Sequence, residues 1–161
     1  MLTGIRIPLH PSVRRRLRVL LVGHAGAAAR ALAAWLGERK ALDLAGPAKT
    51  TAATFALAAR FKPDAVLLDF HGLPIAIDRT VARFKEFSPP PLVLVLTHDA
   101  SETMRRRCRA ACVDAVFDKT ADLESVASLL KRTRKSIAMA GLSTPRPSPA
   151  PTIVHAQKMI P

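Results

Sequence analysis

The sequence predicts an α/β domain with a doubly wound, five-stranded parallel sheet, and two features support this prediction. Short apolar runs bounded by turn residues recur along the chain, most clearly at 65–68 and 92–96. Such runs are typical of strands buried on both faces, as in a parallel sheet covered by helices. These runs also alternate with helical segments, which is typical of doubly wound folds.

The remaining elements follow in order along the chain. Strands are predicted at about 17–22, 41–45, 65–68, 92–96 and 115–117, with helices at about 26–38, 50–61 and 76–87 and two more after residues 99 and 120. Gly46-Pro47 is expected to break the second strand. Thr50 or Thr51 can cap the second helix, Asp99 or Ser101 begins the fourth, and Thr120 or Asp122 begins the last.

Three single polar residues follow the apolar runs. Asp69 closes the third strand, Thr97 closes the fourth, and Lys119 comes just after the fifth. In open parallel sheets the ligand site lies outside the carboxyl ends of the strands. A carboxylate, a hydroxyl and an ammonium at one edge suit a phosphoryl group, because one can carry it and the others can hold its oxygens.

The net charge of +13 lies at the two ends of the chain. Residues 1–18 contain five arginines and no acids, and residues 131–161 contain six lysines or arginines and no acids. Basic ends can hold acidic partners, lipid or nucleic acid without specificity, so no sequence-specific nucleic-acid binding is expected. We assign residues 1–16 to a basic irregular arm, 17–138 to the domain and 139–161 to a proline-rich, disordered tail.

Cysteine content and hydropathy predict a cytoplasmic protein without a membrane span. Cys108 and Cys112 fall at i and i+4 on the fourth helix, where we interpret them as small residues of its buried face; a redox or metal pair is the alternative. No apolar stretch approaches the ~20 residues that span a bilayer. Cleavage of a signal peptide starting at the arginines 14–16 would remove the first strand.

Three stretches carry a family resemblance: 62–69 (KPDAVLLD), 91–97 (PLVLVLT) and 112–119 (CVDAVFDK). Together they resemble the receiver domain of bacterial two-component response regulators, of the stand-alone type, over about residues 17–134. The resemblance implies a flavodoxin-like strand order 2-1-3-4-5. It also implies that Asp69 is the phosphoacceptor, Thr97 the switch hydroxyl and Lys119 the lysine that contacts the phosphoryl group.

The resemblance further implies a non-enzymatic signalling protein. A histidine kinase or phosphotransfer protein would phosphorylate Asp69. A downstream protein would then bind the face formed by the fourth helix, fifth strand and fifth helix. The arginines at 105, 106, 107 and 109 lie on that fourth helix, either as a basic docking surface or simply as a solvated face.

The pattern departs from the family at the end of the first strand. Receivers carry two adjacent acids there that hold magnesium, whereas this chain has Gly23 and His24. Magnesium takes oxygen ligands, and a neutral imidazole suits zinc, copper or nickel better. Asp69 remains as a weak metal ligand, so we expect magnesium binding to be impaired. The family's aromatic switch position falls nearest Val116, with Phe117 adjacent.

Two other interpretations remain open. The segment from Gly23 to Gly26 lies between a strand and a helix and could be a dinucleotide-binding turn, but its Gly-x-x-Gly spacing is a weak match to Gly-x-Gly-x-x-Gly. Alternatively, the domain could be a degenerate pseudo-receiver that binds a protein partner without phosphorylation. Asp69, Thr97 and Lys119 favour a phosphorylation switch, whereas Gly23 and His24 favour the pseudo-receiver.

Overall fold

A computed structural model describes residues 15–23, 26–70 and 76–139, apart from the side chain of Met139. Strands and helices alternate throughout. The strands are β1 (Leu17–Val22), β2 (Leu42–Ala48), β3 (Ala65–Asp69), β4 (Leu92–Thr97) and β5 (Ala115–Asp118). The helices are α1 (Ala27–Gly37), α2 (Thr51–Phe61), α3 (Ile77–Lys85), α4 (Glu102–Ala110) and α5 (Leu123–Met139).

The five strands form one sheet in the order β2-β1-β3-β4-β5, and every neighbouring pair is parallel. This confirms the predicted flavodoxin-like fold. The central strands β1, β3 and β4 consist almost entirely of buried residues, because helices cover both faces of the sheet. Their apolar runs therefore read as continuous rather than alternating.

Two apolar layers hold the helices to the sheet. One layer joins alternate strand residues to α2, α3 and α4 through Phe55, Phe84 and Cys108. The other joins the opposite strand residues to α1 and α5 through Leu36 and Leu130. The fold therefore has three helices on one face and two on the other.

Side-chain caps set the start of two helices. Thr50 accepts a hydrogen bond from the backbone N–H of Ala53 at 3.1 Å, and Ser101 accepts one from Met104 at 3.4 Å. Each satisfies a backbone donor that the first turn of a helix cannot pair internally. Thr50 and Ser101 were both among the predicted caps.

The prediction that Gly46-Pro47 breaks the second strand was wrong. β2 continues to Ala48, with a shift of register against β1 between Leu20 and Val22. β2 is an edge strand, where a proline without a backbone N–H is tolerated. Gly46 adopts φ +103°, and a Cβ there would lie 2.2 Å from the carbonyl oxygen of Leu21. Glycine therefore lets the strand pass through this irregularity.

Two arginines of the predicted N-terminal arm contact the domain. Arg15 pairs with Asp64, and Nη1 of Arg16 lies 3.4 Å from Oδ1 of Asp43. Surface pairs of this kind contribute about 0–1 kcal/mol each. Residues 1–14 and 140–161 lie outside the described part, so the arm and the tail stay predictions. Within the described residues, no helix has the length and apolarity to cross a membrane.

Candidate functional site

The three residues predicted to form the site lie at neighbouring strand ends. Asp69 ends β3 and pairs in register with Leu96, so Thr97 lies one position further along β4. Thr97 pairs with Asp118, the last residue of β5, and Lys119 follows. Parallel strands deliver the residues at their carboxyl ends to one edge of the sheet. Asp69, Thr97 and Lys119 therefore share this edge.

Asp69 and Lys119 form an ion pair that is nearly closed to solvent. Nζ of Lys119 lies 2.5 Å from Oδ1 of Asp69, and the side chains are 12% and 5% exposed, respectively. The backbone N–H of Lys119 donates to the carbonyl of Thr97 at 2.9 Å, which anchors the residue beside β4. A phosphoryl group on Asp69 would add its negative charge directly beside this ammonium.

The buried hydroxyl of Thr97 is bonded within the loop that follows β4. It accepts a hydrogen bond from the backbone N–H of Asp99 at 3.0 Å and donates to the carbonyl of Asp99 at 3.3 Å. A hydroxyl has one proton to donate, so this proton is used inside the loop. Asp99 also accepts from the N–H of Ser101, the N-cap of α4. The hydroxyl is thus linked to the start of α4.

A hydrogen-bonded loop after β5 holds Lys119 in place. Oδ1 of Asp118 accepts from the backbone N–H groups of Thr120 at 2.7 Å and Ala121 at 3.1 Å. These donors, that of Thr120 first, hold the pKa of Asp118 below its ordinary value because they stabilise the carboxylate. Oδ2 of Asp122 accepts from the N–H of Asp118, and α5 begins at the next residue.

Gly23 packs directly against the predicted phosphoacceptor. A Cβ added at Gly23 would lie 2.8 Å from Cβ of Asp69 and 3.5 Å from its Oδ2. The first distance is far below van der Waals contact, so a side chain here would force Asp69 or the end of β1 to move. The absence of an acid at Gly23 is therefore matched by the absence of space for one.

The described residues do not fit a magnesium ion. No group of three or more His, Cys, Asp or Glu side chains within the described ranges could hold a metal. Asp69, the predicted weak ligand, is nearly buried and bonded to Lys119, and Gly23 offers no oxygen ligand from a side chain. His24 and His71 lie outside the described residues, and His98 is exposed.

The aromatic switch position of the resemblance is occupied by valine. The side chain of Val116 packs in the layer that holds α2, α3 and α4, whereas Phe117 packs in the layer of α1 and α5. Side chains of successive strand residues point to opposite faces. The neighbouring Phe117 therefore cannot take the place of an aromatic ring at Val116.

The four arginines of α4 differ in their exposure and in their contacts. Arg106, Arg107 and Arg109 are exposed, and Arg106 and Arg109 pair with Glu102. Arg105 is half-buried and bonds to two backbone carbonyls. No signal in the sequence separates Arg105 from the other three arginines, because all four lie close together on the same helix.

The structure also describes two minor candidate sites, the turn at Gly26 and the cysteines of α4. A Cβ at Gly26 would have no neighbour within 4 Å, so the turn lacks the close packing that a dinucleotide-type glycine provides. Cys108 is buried, and burial raises the pKa of its thiol. The prediction that Cys112 shares that buried face was wrong, because α4 ends at Ala110 and Cys112 is exposed with φ +61°.

Solved receiver domains share this fold. The receiver domain of a Luxo repressor protein from Vibrio parahaemolyticus matches with TM-score 0.64 at 20% identity, over 78% of this chain and 98% of that one. The BeF3-activated receiver domain of RstA from Klebsiella pneumoniae matches with TM-score 0.64 at 18% identity, over 73% and 98%. A pilus assembly-related protein from Burkholderia pseudomallei matches with TM-score 0.63 at 18% identity, over 74% and 90%.

No protein-family model and no curated protein sequence matches the chain. At these identities the solved structures establish the fold, which is that of response regulator receiver domains.

Proposed function

We propose that this protein is a receiver in phosphorelay signalling and that Asp69 accepts a phosphoryl group from a histidine kinase or phosphotransfer protein. The observation that carries the proposal is the contact between Asp69 and Lys119 at the shared strand edge, with Thr97 on the strand between them. A nucleophilic carboxylate, a fixed cation and a hydroxyl meet there.

The proposed transfer is an in-line displacement at phosphorus. A carboxylate oxygen of Asp69 forms the new bond to phosphorus while the bond from phosphorus to the donor atom breaks. Catalysis of phosphoryl transfer rests mainly on positioning and on charge that stabilises the transferred group. Lys119 supplies a positive charge already fixed 2.5 Å from the nucleophile.

The reaction should depend on magnesium much less than in a receiver with the acidic pair. Gly23 leaves no space beside Asp69 for a ligand side chain, and the described residues offer no metal cluster. With Lys119 as the main fixed cation, we expect a slow reaction that continues in chelator.

The exposed arginines of α4 support an output surface formed by α4, β5 and α5. Arg106, Arg107 and Arg109 present positive charge on this face. Arg106 and Arg109 both pair with Glu102, so one carboxylate is shared between two of these arginines. Such a surface suits a downstream protein that carries acidic side chains.

A second function is favoured by one specific observation, the packing of Gly23 against Asp69. With no space for a ligand side chain at Gly23, the domain can act as a pseudo-receiver that binds its partner without phosphorylation. In that case the ion pair of Asp69 and Lys119 serves only the fold.

Intact mass after incubation with acetyl phosphate separates the two functions. We expect the chain to gain one phosphoryl mass, with similar yields in magnesium and in chelator. Asp69→Asn should abolish the gain because it removes the nucleophile while keeping the shape of the side chain. Asp43→Asn is the matched control, since Asp43 lies near the amino end of β2, at the opposite end of the sheet from Asp69, and its loss should leave the yield unchanged.

The alternative results are equally informative. No gain of mass under either condition would favour the pseudo-receiver. A fast reaction that requires magnesium strictly would show that our interpretation of Gly23 and His24 is wrong.

A further inference from the structure

Arg105 joins the loop after β4 to the end of β5. Its Nε donates a hydrogen bond to the carbonyl of Ala100 at 2.9 Å, and its Nη1 donates to the carbonyl of Val116 at 3.4 Å. The planar guanidinium can hold two acceptors in fixed directions, which an ammonium cannot do in the same way.

The loop that Arg105 holds is also the loop that is hydrogen-bonded to the hydroxyl of Thr97. The hydroxyl of Thr97 donates its one proton to the carbonyl of Asp99. The next residue, Ala100, accepts the hydrogen bond from Arg105. If Thr97 is to donate to an oxygen of a phosphoryl group on Asp69, its bond to Asp99 must break. The peptides on both sides of Asp99 then lose an anchor, and the bond from Arg105 to Ala100 resists their movement.

We infer that Arg105 is a positioning residue that keeps the loop 98–100 in the arrangement in which Thr97 is bonded to Asp99. Phosphorylation of Asp69 and the double hydrogen bond of Arg105 therefore oppose each other. This inference rests on the proposed function for its link to Asp69, but the restraint of the loop by Arg105 does not. The hydroxyl of Thr97 must leave Asp99 before it can donate to the incoming phosphoryl oxygens, so removal of Arg105 should make this rearrangement easier and favour the phosphorylated state.

Val116 explains why this role falls to a residue of α4. At that position the side chain is a small aliphatic group packed against the core, so β5 has no large side chain there with which to contact the loop. The contact between β5 and the loop is instead made by the backbone carbonyl of Val116 through the guanidinium.

Hydrogen exchange measures the restraint without any phosphorylation. We expect the backbone amides of Asp99 and Ser101, which bond to Thr97 and Asp99, to exchange roughly fivefold faster or more in Arg105→Ala, the lower range of a typical coupling. Arg105→Lys should behave like Arg105→Ala, because lysine keeps the positive charge but lacks the planar guanidinium that bonds to both carbonyls. Arg106→Ala, the exposed neighbour, is the matched control and should resemble wild type.

The rate of phosphorylation by acetyl phosphate then tests the link to the site. Arg105→Ala and Arg105→Lys should be modified several-fold faster than wild type, whereas a variant that merely damages the fold would be modified more slowly. If the amides of Asp99 and Ser101 exchange at the wild-type rate in both Arg105 variants, or in Arg105→Lys alone, the inference that the two hydrogen bonds of Arg105 restrain the loop is overturned. Faster exchange with an unchanged rate of modification would overturn the link to Asp69.

The two proposals fail in different ways. If neither wild type nor the Arg105 variants gain a phosphoryl group, the proposed function fails and the link to Asp69 fails with it. The exchange measurement still decides whether Arg105 restrains the loop.

Discussion

The two halves of the carboxyl edge of the sheet are built differently. On the side of β3, β4 and β5, Asp69 and Lys119 form a buried ion pair, with Thr97 hydrogen-bonded beside them. On the side of β1, Gly23 has no side chain, and a Cβ added there would lie 2.8 Å from Cβ of Asp69. The residues proposed to carry and hold a phosphoryl group are thus all present, whereas Gly23 offers neither a ligand side chain nor space for one.

This difference shows that a complete set of anion-holding residues has two possible explanations. Once an ion pair is buried, the stability of the fold depends on both partners, because the loss of either one leaves an uncompensated buried charge. Asp69 and Lys119 would therefore be needed for stability in a phosphorylation switch and in a pseudo-receiver alike. The stability of variants at Asp69 and Lys119 therefore cannot by itself separate these functions.

Removal of the Lys119 charge should have the largest effect on stability. Lys119→Met leaves Asp69 buried without its cation, and we expect a loss of about 3–5 kcal/mol in the free energy of unfolding, measured by urea denaturation. Lys85→Met is the matched control. Its pair with Asp114 has a similar distance of 2.6 Å but side chains about a third exposed, so the loss should be about 1 kcal/mol or less.

The double variant Asp69→Asn with Lys119→Met sharpens the same test. It removes both charges, so most of the stability lost in Lys119→Met should return. Equal losses from Lys119→Met and Lys85→Met would show that the ion pair is open to solvent, and the contrast between the two halves of the edge would disappear.

Restoring acids on the side of β1 should have the next largest effect. Gly23→Asp with His24→Asp adds two carboxylates, of which the one at position 23 lies beside Asp69. Like charges within ~4–6 Å raise one another's pKa, and each unit corresponds to about 1.4 kcal/mol. The new Cβ at Gly23 also lies too close to Asp69, and overpacking costs about 1–3 kcal/mol. The double variant should melt lower in chelator and regain stability as magnesium is added.

Single glycine variants separate the steric part of this effect from the charge. Gly23→Ala should lower the melting temperature in chelator without any response to magnesium. Gly37→Ala, at the end of α1, where an added Cβ would have no neighbour within 4 Å, should leave stability equal or slightly higher. If the melting temperature of the double aspartate variant ignores magnesium, the receiver-like geometry at Asp69 is in doubt.

Sequence reasoning succeeds where local pattern decides the structure. The apolar runs place all five strands, and Thr50 and Ser101 cap their helices because a side-chain oxygen near a helix start has few other partners. The convergence of Asp69 and Lys119 follows from strand ends in a parallel sheet. These features need only the sequence around each element and the strand order.

The missed features depend on contacts between distant segments. Gly46-Pro47 is compatible with a strand because β2 lies at an edge, and edge position is a property of the whole sheet. The closeness of Gly23 to Asp69 and the bonds of Arg105 to Ala100 and Val116 depend on how neighbouring elements pack. Side-chain composition alone gives no indication of either.

The smallest predicted effect concerns the loop that positions Lys119. The pKa of Asp118 is lowered in the folded state, from an ordinary value of 3.8, by the N–H groups of Thr120 and Ala121. A lowered pKa contributes stability that is present above about pH 4 and is lost as the pH falls through the folded value. Asp118→Asn keeps an oxygen acceptor but lacks the charge, so its melting temperature should lie slightly below wild type at pH 7, and the gap should close below pH 4. A gap that stays constant across this range would show that the charge of Asp118 does not stabilise the loop, and Lys119 would then be held by its contact with Asp69 and its backbone bond to Thr97.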